Sequence, residues 1–120
     1  MSVLSSFTKE ERDACLPLIS LLTDAANTAR REGVLALEEW AEGRDFFTTY
    51  LFLLVVDGIM PDLVRKLGQT LIDADGHTGK ELLSRMIILE GVLMVQSGYN
   101  PRIMEVKLLA MLGEGYLPGF

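Results

Sequence analysis

A chain of 120 residues suits one domain, residues 1–120. Its formal net charge of −6, with no basic stripe, argues against nucleic acid and against anionic membrane surfaces as partners. The lone Cys15 excludes an internal disulfide and fits a reducing cytoplasm.

The chain is 49% hydrophobic with a mean hydropathy of +0.28, which is apolar for so small a protein. Part of that surface is expected to be hidden by self-association, so a homo-oligomer is anticipated. The first residues, "MSVLSSFTKEERDA", lack a charged-then-apolar signal layout. The longest apolar run, "YLFLLVV", falls far short of the roughly 20 residues that cross a bilayer. A cytoplasmic protein with no membrane span is therefore expected.

Apolar residues recur at helical spacing, with little alternation of period two. The fold is expected to be all-α, a compact bundle of about five helices. Thr8 and Glu11 form a capping-box pattern that starts the first helix. Ala14, Leu18, Leu21, Leu22, Ala25 and Ala29 mark one face of it. Pro17 predicts a kink or restart. Gly33 is read as tolerated within the helix, at about 1 kcal/mol relative to Ala. The stretch "VLALEEWAE" then continues the pattern to Gly43, a C-terminal cap. Residues 45–56 form the most apolar helix.

A corner follows. Gly58 can end a helix in the left-handed conformation, and Pro61 suits the first turn of the next. Met60 is a poor N-cap, so Asp62 must serve that helix's positive end. Leu63, Val64, Leu67 and Leu71 face one way before "DADGHTGK" breaks the pattern. Residues 81–96 make another helix. A second corner comes forty residues after the first, with Gly98 as cap, Asn100 as N-cap and Pro101 at the first helical position. Val106, Leu109 and Leu112 continue the last helix, and "GEGYLPGF" is a tail without helical pattern. Such joints can arise independently. They can also mark an internal duplication, which the pairing of Leu53 with Leu93 and Val55 with Val95 favours.

Several motifs fail. "DADGHTGKEL" lacks the glycine or the bidentate Glu of a calcium loop in either register. "GHTGK" lacks the glycine spacing and the preceding strand of a phosphate loop. His77 is the only histidine, so no histidine-rich metal site and no Ser-His-Asp set can be built. No metal and no cofactor are expected.

Glu90 stands out as the candidate buried acid. It falls among Leu82, Leu83, Met86, Ile87, Leu89, Leu93 and Met94 on a helical wheel. A carboxylate there needs a cation or hydrogen-bond donors. One reading makes it a functional acid in a pocket with an arginine such as Arg65 or Arg102. The other makes Ile88, Val92 and Val95 the core face and leaves Glu90 wet. A structural role is preferred. The helix 46–56 and the Ile88, Val92, Val95 stripe are the candidate contacts between copies.

"ARREGVLALEEWAEGRDFFTTYLFLLVVDGIMPDLVRKL" resembles a cytoplasmic segment of the flagellar stator protein MotA, a relative of ExbB and TolQ. Arg30, Gly33, Leu37 and Glu38 match its first pattern, and Val56, Asp57, Gly58, Pro61 and Arg65 its second. "MIILEGVLMVQSGYNPRIMEVKLLAML" resembles the family's C-terminal cytoplasmic segment, through Glu90, Gly91, Gln96, Gly98, Asn100, Pro101 and Arg102. The family's two pairs of transmembrane helices have no counterpart here, so ion conduction does not carry over. The resemblance implies a non-catalytic module for protein–protein interaction, linked to the flagellar motor. It also implies that Arg30 and Glu38 meet a FliG-like rotor protein. The alternative is a small helical enzyme or ligand-binding regulator using Glu90 with an arginine.

Overall fold

The computed structural model describes residues 3–119; Met1, Ser2 and Phe120, the last residue of the tail, lie outside the described residues. Seven α-helices follow in order: α1 (Lys9–Ala14), α2 (Leu16–Glu32), α3 (Ala36–Ala41), α4 (Phe46–Val56), α5 (Pro61–Asp75), α6 (Gly79–Gln96) and α7 (Pro101–Ala110). Among the described residues there is no strand, and single 3-10 turns lie at Val3–Ser6 and Glu114–Tyr116. The chain is an all-α bundle, and no described helix is long and apolar enough to cross a membrane.

The helix ends follow local chemistry. Thr8 Oγ1 accepts from the Glu11 backbone N–H, while Glu11 accepts from the Thr8 N–H at 2.8 Å, closing the capping box. The chain restarts at Cys15, with Pro17 in the first turn of α2, where its missing N–H costs nothing. Gly33 does not sit within a helix as expected. It ends α2 at φ 90°, and α3 begins only at Ala36. The tail is also more ordered than anticipated, because Tyr116 packs on the core and its hydroxyl donates to Asp13.

Helix α6 runs through the middle of the bundle and packs on α2, α4 and α5. It is apolar nearly all round, with Leu83, Ile87, Ile88, Leu89, Val92, Leu93 and Val95 buried. The Ile88, Val92, Val95 stripe is therefore core and not a contact between copies, contrary to expectation. Two glycines let neighbouring helices approach. A Cβ on Gly91 would lie 2.8 Å from Leu22 Cδ1, and one on Gly68 would lie 2.5 Å from Leu89 Cδ1. In α7 the buried positions are Met104 and Leu108, with Leu112 just beyond, whereas Val106 is exposed. The 101–112 segment thus turns toward the core one residue away from the face read from Val106.

The two corners are built alike. At the first, Gly58 N–H donates to the Val55 carbonyl and Ile59 N–H to the Leu54 carbonyl, both at 3.0 Å. At the second, Gly98 N–H donates to Val95 and Tyr99 N–H to Met94, both at 3.1 Å. This double closure is the Schellman motif, with the glycine at φ 79° or 77°. Its usual apolar pair is present both times, because Leu54 with Ile59 and Met94 with Tyr99 are half-buried against the core. Residues forty apart also share burial: Leu51 and Gly91, Phe52 and Val92, Val55 and Val95, Val64 and Met104, Gly68 and Leu108, Ile72 and Leu112. The echo in sequence is one helix–corner–helix unit used twice.

Candidate functional site

Arg30 and Glu38 were expected on one continuous helix. The break at Gly33 puts Arg30 in the last turn of α2 and Glu38 in the first turn of α3. Both are exposed. Arg30 Nη1 donates to the Gly98 carbonyl at 3.5 Å, which ties α2 to the second corner. A cation there also complements the negative end of α6. The Glu38 side chain forms no hydrogen bond or ion pair among the described residues.

The corner residues are structural. Asp57 caps α4 through its backbone N–H to the Leu53 carbonyl. Asn100 Oδ1 accepts from Arg102 N–H at 2.8 Å, and Pro61 and Pro101 open α5 and α7. Arg102 is exposed and does not reach Glu90. Gln96 links the two corners, its Nε2 donating to the Ile59 carbonyl at 2.7 Å.

Glu90 meets Arg65. Arg65 Nη1 and Nη2 donate to the two carboxylate oxygens at 2.8 and 2.9 Å, a bidentate bridge between α5 and α6. The Glu90 hydrogen bond raises the Arg65 pKa above its ordinary value. The Glu90 side chain keeps 32% of its surface and Arg65 keeps 54%, so the pair is wet and lines no enclosed cleft. Neither arc of α6 is free: Leu83, Ile87 and Leu93 beside Glu90 are buried as well as Ile88, Val92 and Val95, and Glu90 itself is half-buried and bridged to Arg65.

A depression lies elsewhere, between α3 and α4. It is an open groove of about 620 Å³. Leu35, Ala36, Thr49 and Leu53 line it together with Glu38, Glu39 and Glu42; no lysine, arginine or histidine lines it. Phe46, Thr49, Tyr50 and Leu53 share one face of α4 by their helical spacing. Leu35 and Phe46 are each 74% exposed, and the Phe46 and Tyr50 rings stack with centroids 5.5 Å apart. Behind the groove, Trp40 fixes α3. Its Nε1 donates to Asp24 at 3.0 Å, its ring meets Phe52 edge-on, and the Arg44 guanidinium lies 3.6 Å over it. Of this set the sequence singled out Glu38 as a residue and the helix 46–56 as a whole, whose Phe47, Thr48, Leu51, Phe52 and Val55 are core and whose Phe46 and Tyr50 are exposed. Leu35 could have been found there, because it stands two residues before the buried Leu37 yet falls off the helical core stripe.

A second polar cluster joins the chain ends. Arg12 donates to the carbonyls of Leu4, Phe7 and Leu112 at 3.1–3.2 Å. Beside it, hydrogen bonds from Lys9 and Tyr116 hold the Asp13 carboxyl below its ordinary pKa, and the same contacts raise those of Lys9 and Tyr116. No group of three or more His, Cys, Asp or Glu residues that could hold a metal occurs among the described residues.

No family model matches the chain, and no solved structure matches it. A protein of Pelobacter propionicus named phosphate acyltransferase is 34% identical over 80 residues. The match covers 66% of this chain and 23% of that protein, so the chain spans less than a quarter of the length of this curated relative.

Proposed function

We propose that this chain is a non-catalytic module that binds another protein, resembling the cytoplasmic part of MotA-type stator proteins. The observation that carries the reading is the α3–α4 face. There Leu35 and Phe46 stand 74% exposed beside the unbridged Glu38. Apolar side chains of that size gain by being covered, and exposed charges around them govern partner choice more than fold stability. A FliG-like rotor protein is the specific partner that the quoted residues suggest. Self-association belongs to the same reading, now through exposed positions such as Leu63 and Ile103, which correspond in the two repeats.

Calorimetric titration of the chain with a purified FliG-type rotor protein tests the motor link. Binding that Glu38→Lys weakens supports it. Absence of binding to the parent chain removes it. The partial likeness to a protein named phosphate acyltransferase favours a second reading, in which the chain serves acyl transfer to phosphate. An assay of acyl transfer to phosphate by the chain separates the two readings.

A further inference from the structure

The α3–α4 groove has a shape and a charge that select its occupant. Two helices joined by a short turn form its walls, and a third helix is the natural filler of such a trough. Thr49 and Leu53 line the groove from α4, and Phe46 and Tyr50 continue the same helix face beside it, so that the line from Phe46 to Leu53 runs about 10 Å along α4 at 1.5 Å per residue. That length accepts about two turns of a docked helix. Leu35 lines the groove from the start of α3. The lining also carries Glu38, Glu39 and Glu42 with no opposing cation, and Glu32 and Asp24 extend the acidic surface around α3. Arg44, the cation beside it, is held over the Trp40 ring with its Nε donated to the Trp40 carbonyl.

We propose that this groove docks a cationic amphipathic helix of a partner protein. Its apolar face covers Leu35, Leu53 and the Phe46–Tyr50 stack, and its lysines or arginines reach Glu38, Glu39 and Glu42. The proposal rests on the interaction-module reading and names the chemistry of the partner. An acidic chain of net charge −6 draws such a helix in from a distance, and the stacked rings supply a rigid apolar anchor. A second copy of this chain is a poorer occupant, because it brings the same net negative charge.

The test uses the full chain and a fluorescein-labelled 18-residue helical peptide of leucine and lysine, read by anisotropy. A matched leucine–glutamate peptide is the control. The lysine peptide should bind at least about tenfold tighter than the glutamate peptide, and its affinity should fall several-fold between low and moderate salt. Glu38→Gln with Glu42→Gln should weaken it about tenfold, and Leu35→Ser or Tyr50→Ser should weaken it severalfold. Glu10→Gln, an exposed change on α1, should leave it unchanged. All these positions are exposed, so circular dichroism melts should coincide with that of the parent.

Equal binding of both peptides overturns the charge argument. Binding of the lysine peptide that the groove variants do not weaken reduces it to general acidic attraction and overturns the site. If Phe46→Ser dissolves a dimer and the peptide does not compete with that dimer, a second copy fills the groove and the proposal falls. A rotor protein that binds while the lysine peptide does not leaves the module reading standing and removes this one. The reverse result keeps the groove and removes the rotor.

Discussion

Replacing Gly98 by Val tests the corner chemistry in isolation. Gly98 sits at φ 77°, and a Cβ built on it meets nothing within 4 Å. Steric crowding from neighbours therefore contributes nothing, and the whole cost is backbone strain. An L-residue in the left-handed region costs roughly 1–2 kcal/mol, and a β-branched one lies at the upper end. The variant also loses glycine's extra freedom in the unfolded chain, which offsets about 0.4–1 kcal/mol. A net loss of about 1–1.5 kcal/mol remains. With a urea slope of about 1.5 kcal/mol/M, the midpoint should fall by about 0.7–1 M. Gly58→Val should behave alike, because φ is 79° there and the surroundings are equally open. Asn tolerates positive φ, so Gly98→Asn should recover about half of the loss. Unchanged midpoints for both Val variants, or equal losses for Val and Asn, would refute the claim that backbone strain governs these corners.

Other contacts give separate expectations. Glu90→Gln breaks the bidentate bridge to Arg65 and should cost only about 0.5–1 kcal/mol in urea titration, because both side chains are substantially solvated; a loss above about 3 kcal/mol would mean a desolvated pair. Arg12→Ala removes three bonds to backbone carbonyls and should cost about 2 kcal/mol, with loss of protection of the Leu112–Gly113 region in hydrogen exchange. Asp13 has a lowered pKa, so its contribution is present above the ordinary carboxylate range and is lost as pH falls through the lower folded value. The gap in thermal midpoint between parent and Asp13→Asn should be constant near neutral pH and close below about pH 4; a gap that persists at pH 2 contradicts the linkage. Lys9 and Tyr116 have raised values, so their share should persist through neutral pH and fade as pH rises above about 10. Sedimentation should show a self-associating chain at tens of micromolar, with Ile103→Ser shifting it toward monomer; a monomeric parent ends that expectation.

The helices were legible where local chemistry decides. Thr8 with Glu11, Pro17, Asn100 and the two corner glycines each carry a cap or a φ requirement that needs no tertiary partner. Gly33 was misread because helix interior and helix end differ there by only about 1 kcal/mol of propensity, and packing of α3 on α2 and α4 decides. Helix α6 hid its orientation for a different reason. An element that is apolar nearly all round gives a weak wheel signal, so the arc around Glu90 and the arc of Ile88, Val92 and Val95 looked equally fit to face inward. In the fold both arcs are covered, by α5 on one side and by α2 and α4 on the other. Arg65 then closes the gap at Glu90.

The candidate site was less legible because it depends on the break at Gly33. A continuous helix from 16 to 42 would carry Arg30 and Glu38 as two points on one rod. The break folds α3 back against α4, which turns Glu38 toward Leu53 and Thr49 and leaves Arg30 at the second corner. The two residues thereby acquire different work. Arg30→Glu would lose a long hydrogen bond at Gly98 and place a negative charge at the negative end of α6, at a cost of about 0.5–1 kcal/mol. Glu38→Lys would touch no bond of the fold. Partner binding should therefore be more sensitive to Glu38→Lys, and the melting midpoint more sensitive to Arg30→Glu. Measuring both variants by urea titration and by peptide anisotropy separates these effects. If Arg30→Glu abolishes binding with an unchanged midpoint, Arg30 belongs to the docking face after all, and the face must extend from the groove to the second corner.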